Sequence, residues 1–546
     1  MSKKIIIVGG VAGGLSAATR LRRLDESATI TVFEKGPYAS YANCGIPYAL
    51  GDVIKDDASL ILHSPKYFKE RFNIDVHLDT EVLEIDRTNE QVTVQTEGEE
   101  PCQFEYDKLI LSQGADAIRP PIDGEARSHV VTLQTVLDLE AIRKLMQERT
   151  VSDVCIIGAG FIGLEAAENL RRLNFEVSIV DRLPHVLPPI DADIAAVLHS
   201  ELKRNGVKLY LHNTVRRIER SHVVLAGNGL EIPAQLVIVA AGIRSRTALA
   251  KKACLEVGEQ GVRVNSHMET SDEDIYAVGD MVETEHKILK HPNVVALAGP
   301  ANRQGRLAAD DIAGKLVHYR GNIGTVVCQV FHLTVGFAGP SVSSLRLSGL
   351  DPLWVTVHPP HRAAYYPKAH TMTIKTAFER GTGRILGVQA VGAAGVDKRI
   401  DVLATAMQAG MTVFDLQHLE LGYAPPYNSA KDPVNMVGFV ASNVIQGDCR
   451  IVHAENLNAE NICKWLVLDV RSAEEFSTGH LPGAINLPID TLRDHVSTLD
   501  RSIPVLVYCY VGYRGYLAYR ILTQRGFNVV NLDGGLKAFL EGGFKL

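Results

Sequence analysis

Two cysteines in this chain stand where sulfur could do chemistry rather than fill space. Cys44 lies in Ser40-Tyr41-Ala42-Asn43-Cys44-Gly45-Ile46-Pro47-Tyr48, a polar stretch flanked by glycine and proline. Cysteine is ordinarily a small buried hydrophobe. A setting of this kind suits the entrance of a helix, where a thiolate is stabilised. No second cysteine lies within a few residues, the next being Cys102. The expected chemistry therefore runs through one sulfur, as a mixed disulfide, a persulfide or a sulfenic acid. Cys509 ends the apolar run Val505-Leu506-Val507-Tyr508 and opens Tyr510-Val511-Gly512-Tyr513-Arg514, which leads into a helix from Gly515 to Arg525. Such a strand–loop–helix turn aims backbone amides inward as a nest for an anionic sulfur. The other cysteines, Cys102, Cys155, Cys254, Cys328, Cys449 and Cys463, form no CxxC pair and no zinc spacing, so no metal is expected. Cys155 and Cys328 lie in apolar, strand-like stretches and read as core.

The elements that must position these sulfurs announce themselves as two strand–glycine turn–helix units. The first runs Ile5-Ile6-Ile7-Val8-Gly9-Gly10-Val11-Ala12-Gly13-Gly14, and its second strand ends at Glu34-Lys35. The later one runs Val154-Cys155-Ile156-Ile157-Gly158-Ala159-Gly160-Phe161-Ile162-Gly163, and its second strand ends at Asp181. An acidic residue about 20 positions beyond the last glycine is what the ribose contact of a dinucleotide fold requires. The first glycine permits the tight turn, the last lets helix and strand pack closely, and the pyrophosphate rests on the helix start. In the first unit Val11 holds the middle glycine position, a departure from the fingerprint. Buried-looking strands also end at Gly114, Gly242 and Asp280.

At 546 residues the chain is too long for one hydrophobic core, and three to five domains are expected. A net charge of −7 argues against non-specific nucleic-acid binding. No apolar run is long enough for a membrane span, and the dispersed cysteines suit reduced thiols in a cytoplasm.

With these motifs in place the chain resembles the pyridine-nucleotide-disulfide reductase family. The resemblance implies an α/β fold with two Rossmann-like dinucleotide-binding domains, an α+β dimerisation domain and a C-terminal α/β rhodanese domain. The implied segments are 1–115 with 243–322 for FAD, 116–242 for NAD(P)H, 323–445 for dimerisation, 446–460 as a linker and 461–546 for the rhodanese. FAD is assigned to Gly9, Gly10, Ala12, Gly13, Gly14, Glu34, Lys35, Asn43, Gly114, Asp280 and Ala298. NAD is assigned to Gly158, Gly160, Phe161, Ile162, Gly163, Asp181 and Gly242. Asp181 suits the free 2′-hydroxyl of NADH, and the adjacent Arg182 leaves NADPH open.

The single-cysteine stretch is similar to that of coenzyme A disulfide reductases and their persulfide-reducing relatives. That similarity assigns CoA contacts to Ser16, Arg20, Arg23, Ser40, Asn43, Arg71 and Lys431. It also brings Tyr365 and Tyr423, in preference to Tyr366 and Tyr427, from a partner subunit towards the cysteine, and so implies a homodimer. A buried phenol there would give a proton to a leaving thiolate. The segment beginning Leu468-Asp469-Val470-Arg471 and passing through Gly479-His480-Leu481-Pro482-Gly483 resembles a single-domain rhodanese, with Cys509 as sulfur carrier, Arg514 in its loop, and Asp469 and His480 structural.

The expected function is NAD(P)H-dependent reduction of CoA persulfide, polysulfide or CoA disulfide at Cys44, with Cys509 accepting and delivering sulfane sulfur. Three alternatives stay open: a plain CoA disulfide reductase, an NADH oxidase cycling Cys44 through a sulfenic acid, and a persulfide relay or docking protein.

Overall fold

The computed structural model describes residues 2–148 and 150–545. The chain forms two compact units, Met1–Pro184 with Gly206–Asn322, and His185–Asn205 with Ile323–Leu546.

The first unit holds two parallel five-stranded sheets. One has the order Ile275–Ala277, Lys108–Leu111, Lys4–Val8, Thr29–Phe33, Asp75–His77. The other has the order Lys208–Tyr210, Glu176–Val180, Asp153–Ile157, Leu236–Val239, Val130–Thr132. Their central strands are buried nearly throughout, as parallel strands covered on both faces must be. Each central strand ends in a glycine turn that opens a helix, Ala12–Leu24 in the first sheet and Phe161–Arg172 in the second. The two turns superpose in logic: Gly9 has φ +108° and Gly158 φ +114°, a region that L side chains avoid. A Cβ on Gly9 would overlap the carbonyl oxygen of Ser112, and one on Gly158 that of Ala240.

The second unit contains an antiparallel five-stranded sheet, Val326–Val330, Leu333–Ala338, Ile385–Gly392, Met372–Glu379, Pro352–Val357. It also contains a parallel five-stranded sheet, Ile451–Val452, Val529–Leu532, Val505–Tyr508, Leu466–Asp469, Ile485–Asn486. Two segments pack differently from the expected division. The segment 446–460 is not a free linker: Ile451–Val452 pairs in parallel with Asn531–Leu532, and Cys449, Ala454 and Leu457 are buried. Its polar asparagines serve the backbone, since Asn458 and Asn461 form a capping box for the short helix Ala459–Ile462. The helix Ala192–Arg204, expected inside the NAD(P)H segment, belongs to the second unit. Lys375, with 2% of its side chain exposed, draws in Asp191 at 3.1 Å and Asp193 at 2.9 Å, because a buried ammonium needs compensating charge.

No helix among the described residues is long and apolar enough to cross a membrane.

Candidate active site

In the first unit a cavity of about 790 Å³ runs from the first glycine turn to Cys44. Of the residues assigned to FAD, Gly9, Ala12, Gly13, Glu34, Lys35, Asn43, Gly114, Asp280 and Ala298 line it. Gly10 and Gly14 shape the turn instead. The Gly10 N–H donates to the Glu34 carboxylate at 2.7 Å, and Gly14 packs against the Gly9 carbonyl. Lys35 pairs with Glu81 at 2.8 Å. The wall also carries residues that sequence reasoning missed, notably Ser112, Gln113 and Arg246. Arg246 donates to the Gln113 carbonyl at 2.8 Å and to Asp116 at 2.6 Å. Ser112 and Gln113 directly precede Gly114, and the apolar strand before them was the available signal. Arg246 offered none.

Two observations suit a polar, hydroxyl-bearing occupant. The Gln113 side-chain oxygen is buried without a protein partner. Burial raises the Asp280 carboxyl to about 6, so it gains from a ligand that hydrogen-bonds its charged form. The residues present therefore fit a dinucleotide with its pyrophosphate at Gly9–Gly13 and its reactive end near Cys44.

Cys44 sits in the short 3₁₀ turn Asn43–Gly45, directly before the helix Ile46–Leu50. Its N–H donates to the Asn43 side-chain oxygen at 3.1 Å. The thiol is raised above its ordinary value, against the lowering that a helix entrance would give. Partial desolvation of the sulfur, on a residue that stays exposed at the surface, is the leading cause, and the Glu165 and Asp280 carboxylates add to it. A five-residue helix supplies too little dipole to offset them.

The residues assigned to CoA divide. Ser40, at φ +52°, takes its N–H to the Gly10 carbonyl and accepts Leu62 N–H, so it ties the cysteine loop to the glycine turn. Ser16 donates to the Asn302 carbonyl at 3.1 Å. Arg23 is exposed, and exposed Arg71 lies over the Tyr67 ring at 5.1 Å. Arg20 donates through Nε and Nη2 to Asp310, at 2.8 and 2.6 Å, a carboxylate that Arg306 and Lys315 also approach.

At the second glycine turn, Gly158 N–H donates to the Val180 carbonyl and Gly160 caps the helix that Phe161 and Ile162 begin. A Cβ on Gly163 would meet the Gly158 carbonyl. The Asp181 carboxylate accepts from Ala159 N at 2.7 Å and Leu183 N at 2.8 Å, which fixes it at the strand end facing the turn. Gly242, at φ +107°, follows the strand Leu236–Val239.

In the second unit the hydroxyls of Tyr365 and Tyr423 lie 3.5 Å apart. Both rings are exposed on the single chain, 77% and 51%. Tyr366 instead lies 5.3 Å from the Arg362 guanidinium, and Lys431 is exposed. Cys509 follows the buried strand Val505–Tyr508 and is itself buried. Its carbonyl accepts Leu536 N–H and that of Tyr510 accepts Lys537 N–H, which turns the loop carbonyls outward. Arg514 makes a bidentate pair with Glu475, both contacts 2.6 Å, and its charge also reaches the Cys509 sulfur. Hydrogen bonding from Arg514 holds the Glu475 carboxyl at about 2. Asp469 is buried against Arg471 at 2.6 Å, and His480 stacks on Phe476 at 3.8 Å.

The pyridine nucleotide-disulphide oxidoreductase family matches residues 3–305, the dimerisation domain of the same family matches 325–433, and the rhodanese-like domain matches 453–541. A coenzyme A disulfide reductase of Staphylococcus haemolyticus is 33% identical over 81% of this chain and 100% of its own length. The crystal structure of reduced Bacillus anthracis CoADR-RHD has a TM-score of 0.97 at 40% identity, covering 99% of this chain and 98% of that one. A NAD-dependent persulfide reductase from A. fulgidus has a TM-score of 0.92 at 37% identity, covering 98% and 100%.

Proposed function

The chain belongs to the pyridine nucleotide-disulphide oxidoreductase family, and from that premise we propose that it reduces CoA persulfide, polysulfide or CoA disulfide at Cys44. The observation that carries this reading is the position of Cys44 in the wall of the cavity that begins at the first glycine turn. The protein is a FAD- and NAD(P)H-dependent oxidoreductase.

Bound FAD supplies the two-electron path between the pyridine nucleotide and sulfur. The chain's own residues do the rest. Gly9–Gly13 and Glu34 hold the pyrophosphate and ribose of one dinucleotide, and Gly158–Gly163 with Asp181 hold those of the other, NADH preferred because a 2′-phosphate would meet the Asp181 carboxylate. The Cys44 thiolate attacks the sulfur–sulfur bond of the substrate, a new bond to Cys44 forms, and hydrosulfide or CoA leaves. Ser16, Arg23, Ser40, Asn43 and Arg71 are the candidates for orienting the CoA arm. Tyr365, Tyr423 and Lys431 are proposed to reach the sulfur site of a second copy, which the dimerisation-domain match supports.

Cys509 is proposed to accept sulfane sulfur from a small donor and deliver it to Cys44. A fused domain raises the effective concentration of that delivery without any new contact. Replacing Cys509 by Ser is expected to lower hydrogen sulfide release from low-molecular-weight sulfane donors by on the order of tenfold or more. Direct CoA disulfide reduction should be unchanged. Unaltered turnover on every sulfane substrate defeats the coupling.

A further inference from the structure

The hydroxyls of Tyr365 and Tyr423 meet at 3.5 Å although 58 positions separate them and neither residue lies in a helix or strand. Exposed side chains on irregular loops do not keep such a distance unaided, because ordering each loop residue costs conformational entropy. The contacts that offset this cost converge on Asn428. Its neighbours from Leu421 to Lys431 are exposed or half-buried, whereas Asn428 keeps only 1% of its surface exposed. The side-chain Nδ2 donates to the Gly422 carbonyl at 3.0 Å, on the peptide that leads into Tyr423. The backbone carbonyl of Asn428 accepts the Ala363 N–H at 2.9 Å, in the loop that carries Tyr365. Its Oδ1 accepts from Arg399 Nη2 at 2.8 Å and from Ser429 N–H at 2.8 Å.

Arg399 ties this asparagine to regular structure. It lies on the helix Val396–Ala409, with 1% of its surface exposed. The same Nη2 donates to the His361 carbonyl at 2.9 Å and to Asp432 at 3.1 Å. Asp432 in turn caps the helix Pro433–Ile445. A buried guanidinium needs acceptors of this kind, and here both tyrosine loops supply them. Arg362 adds one weaker tie between the loops, to the Pro426 carbonyl at 3.4 Å.

We propose that Asn428 is the positioning residue of the tyrosine pair: its side-chain amide holds one loop and its backbone carbonyl the other, so the two hydroxyls stand together in the folded subunit. The proposal rests on the reading that this pair serves the sulfur site of a second copy. A proton donor needs its place set in advance, since a displacement of about 1 Å costs on the order of a hundredfold in rate. An asparagine that only fills the loop would contribute stability and leave the relation between the two phenols untouched.

The test is fluorine NMR of full-length, flavin-loaded protein labelled with fluorotyrosine. The signals of Tyr365 and Tyr423 are assigned by their loss in Tyr365→Phe and Tyr423→Phe. With Asn428 in place, Tyr365→Phe displaces the Tyr423 signal. In Asn428→Ala that displacement disappears, and kcat on CoA disulfide falls on the order of a hundredfold with flavin content and the KM for NADH unchanged. Combined with Tyr365→Phe and Tyr423→Phe, Asn428→Ala brings no further loss, because its effect runs through the phenols. A displacement that survives in Asn428→Ala overturns the proposal, and so does a loss of turnover that adds in full to that of the tyrosine variants. Should Asn428→Ala fail to fold, hydrogen exchange of the parent protein decides. Peptides covering 361–366 and 422–428 then exchange on the order of a hundredfold slower than an unstructured chain, and exchange at the unstructured rate overturns the proposal. If the displacement vanishes as expected while the tyrosine variants keep full turnover, the positioning stands and the reading of the pair as a proton source fails.

Discussion

Replacing Cys44 by Ser abolishes NAD(P)H-driven cleavage of sulfur–sulfur bonds, with a fall in kcat on the order of a thousandfold or more, while the protein keeps its flavin. The size follows from the loss of the nucleophile: an alcohol neither attacks sulfane sulfur at useful rates nor leaves as a stable anion. Flavin retention follows from the structure. The Cys44 side chain is one small part of a wall whose binding groups are the glycine turn, Glu34 and the strand end at Ser112–Gly114. Steady-state assays with CoA persulfide and CoA disulfide, beside the visible spectrum of the purified variant, check both halves. A variant that turns over at the parental rate excludes any mechanism through this sulfur.

Gly9→Ala is expected to yield protein with little or no flavin and a lowered melting temperature. At φ +108° an alanine is strained, and its Cβ overlaps the Ser112 carbonyl oxygen, which is backbone and cannot swing aside. Strain and overpacking together cost about 2–6 kcal/mol, a large share of a domain's stability. The turn must shift, and the shift moves the amides meant for the pyrophosphate. The flavin-to-protein absorbance ratio and thermal unfolding measure the effect. Gly227, exposed, with open space around it and no left-handed backbone, serves as the control position for a glycine-to-alanine change.

Local features of this chain were legible in sequence. A glycine turn with an acid at the next strand end is a short-range pattern, and both turns fold as read. The same holds for the strand that ends at Cys509. What escaped was decided by residues far apart in the chain. Arg20 reads as an exposed helix cation until Asp310, 290 positions on, engages it. The acid that accepts from Tyr48 on the cysteine helix comes from the other glycine-turn helix, 117 positions away. The stretch 446–460 reads as linker because its asparagines are polar, yet they cap a helix beside an edge strand that closes the sheet. The helix Ala192–Arg204 is chosen by the buried Lys375, a partner that no spacing rule reveals. The Cys44 environment shows the limit most sharply. Flanking residues indicated a helix entrance, while the carboxylates that raise the thiol come from distant parts of the chain.

The most direct test of Cys44 chemistry is a peptide mass spectrum of wild-type enzyme treated with CoA persulfide, before and after one equivalent of NADH. The account predicts CoA joined to Cys44 by a disulfide before the coenzyme is added and a free Cys44 thiol after it. An unmodified Cys44 throughout, in enzyme that still releases hydrogen sulfide on adding NADH, contradicts it.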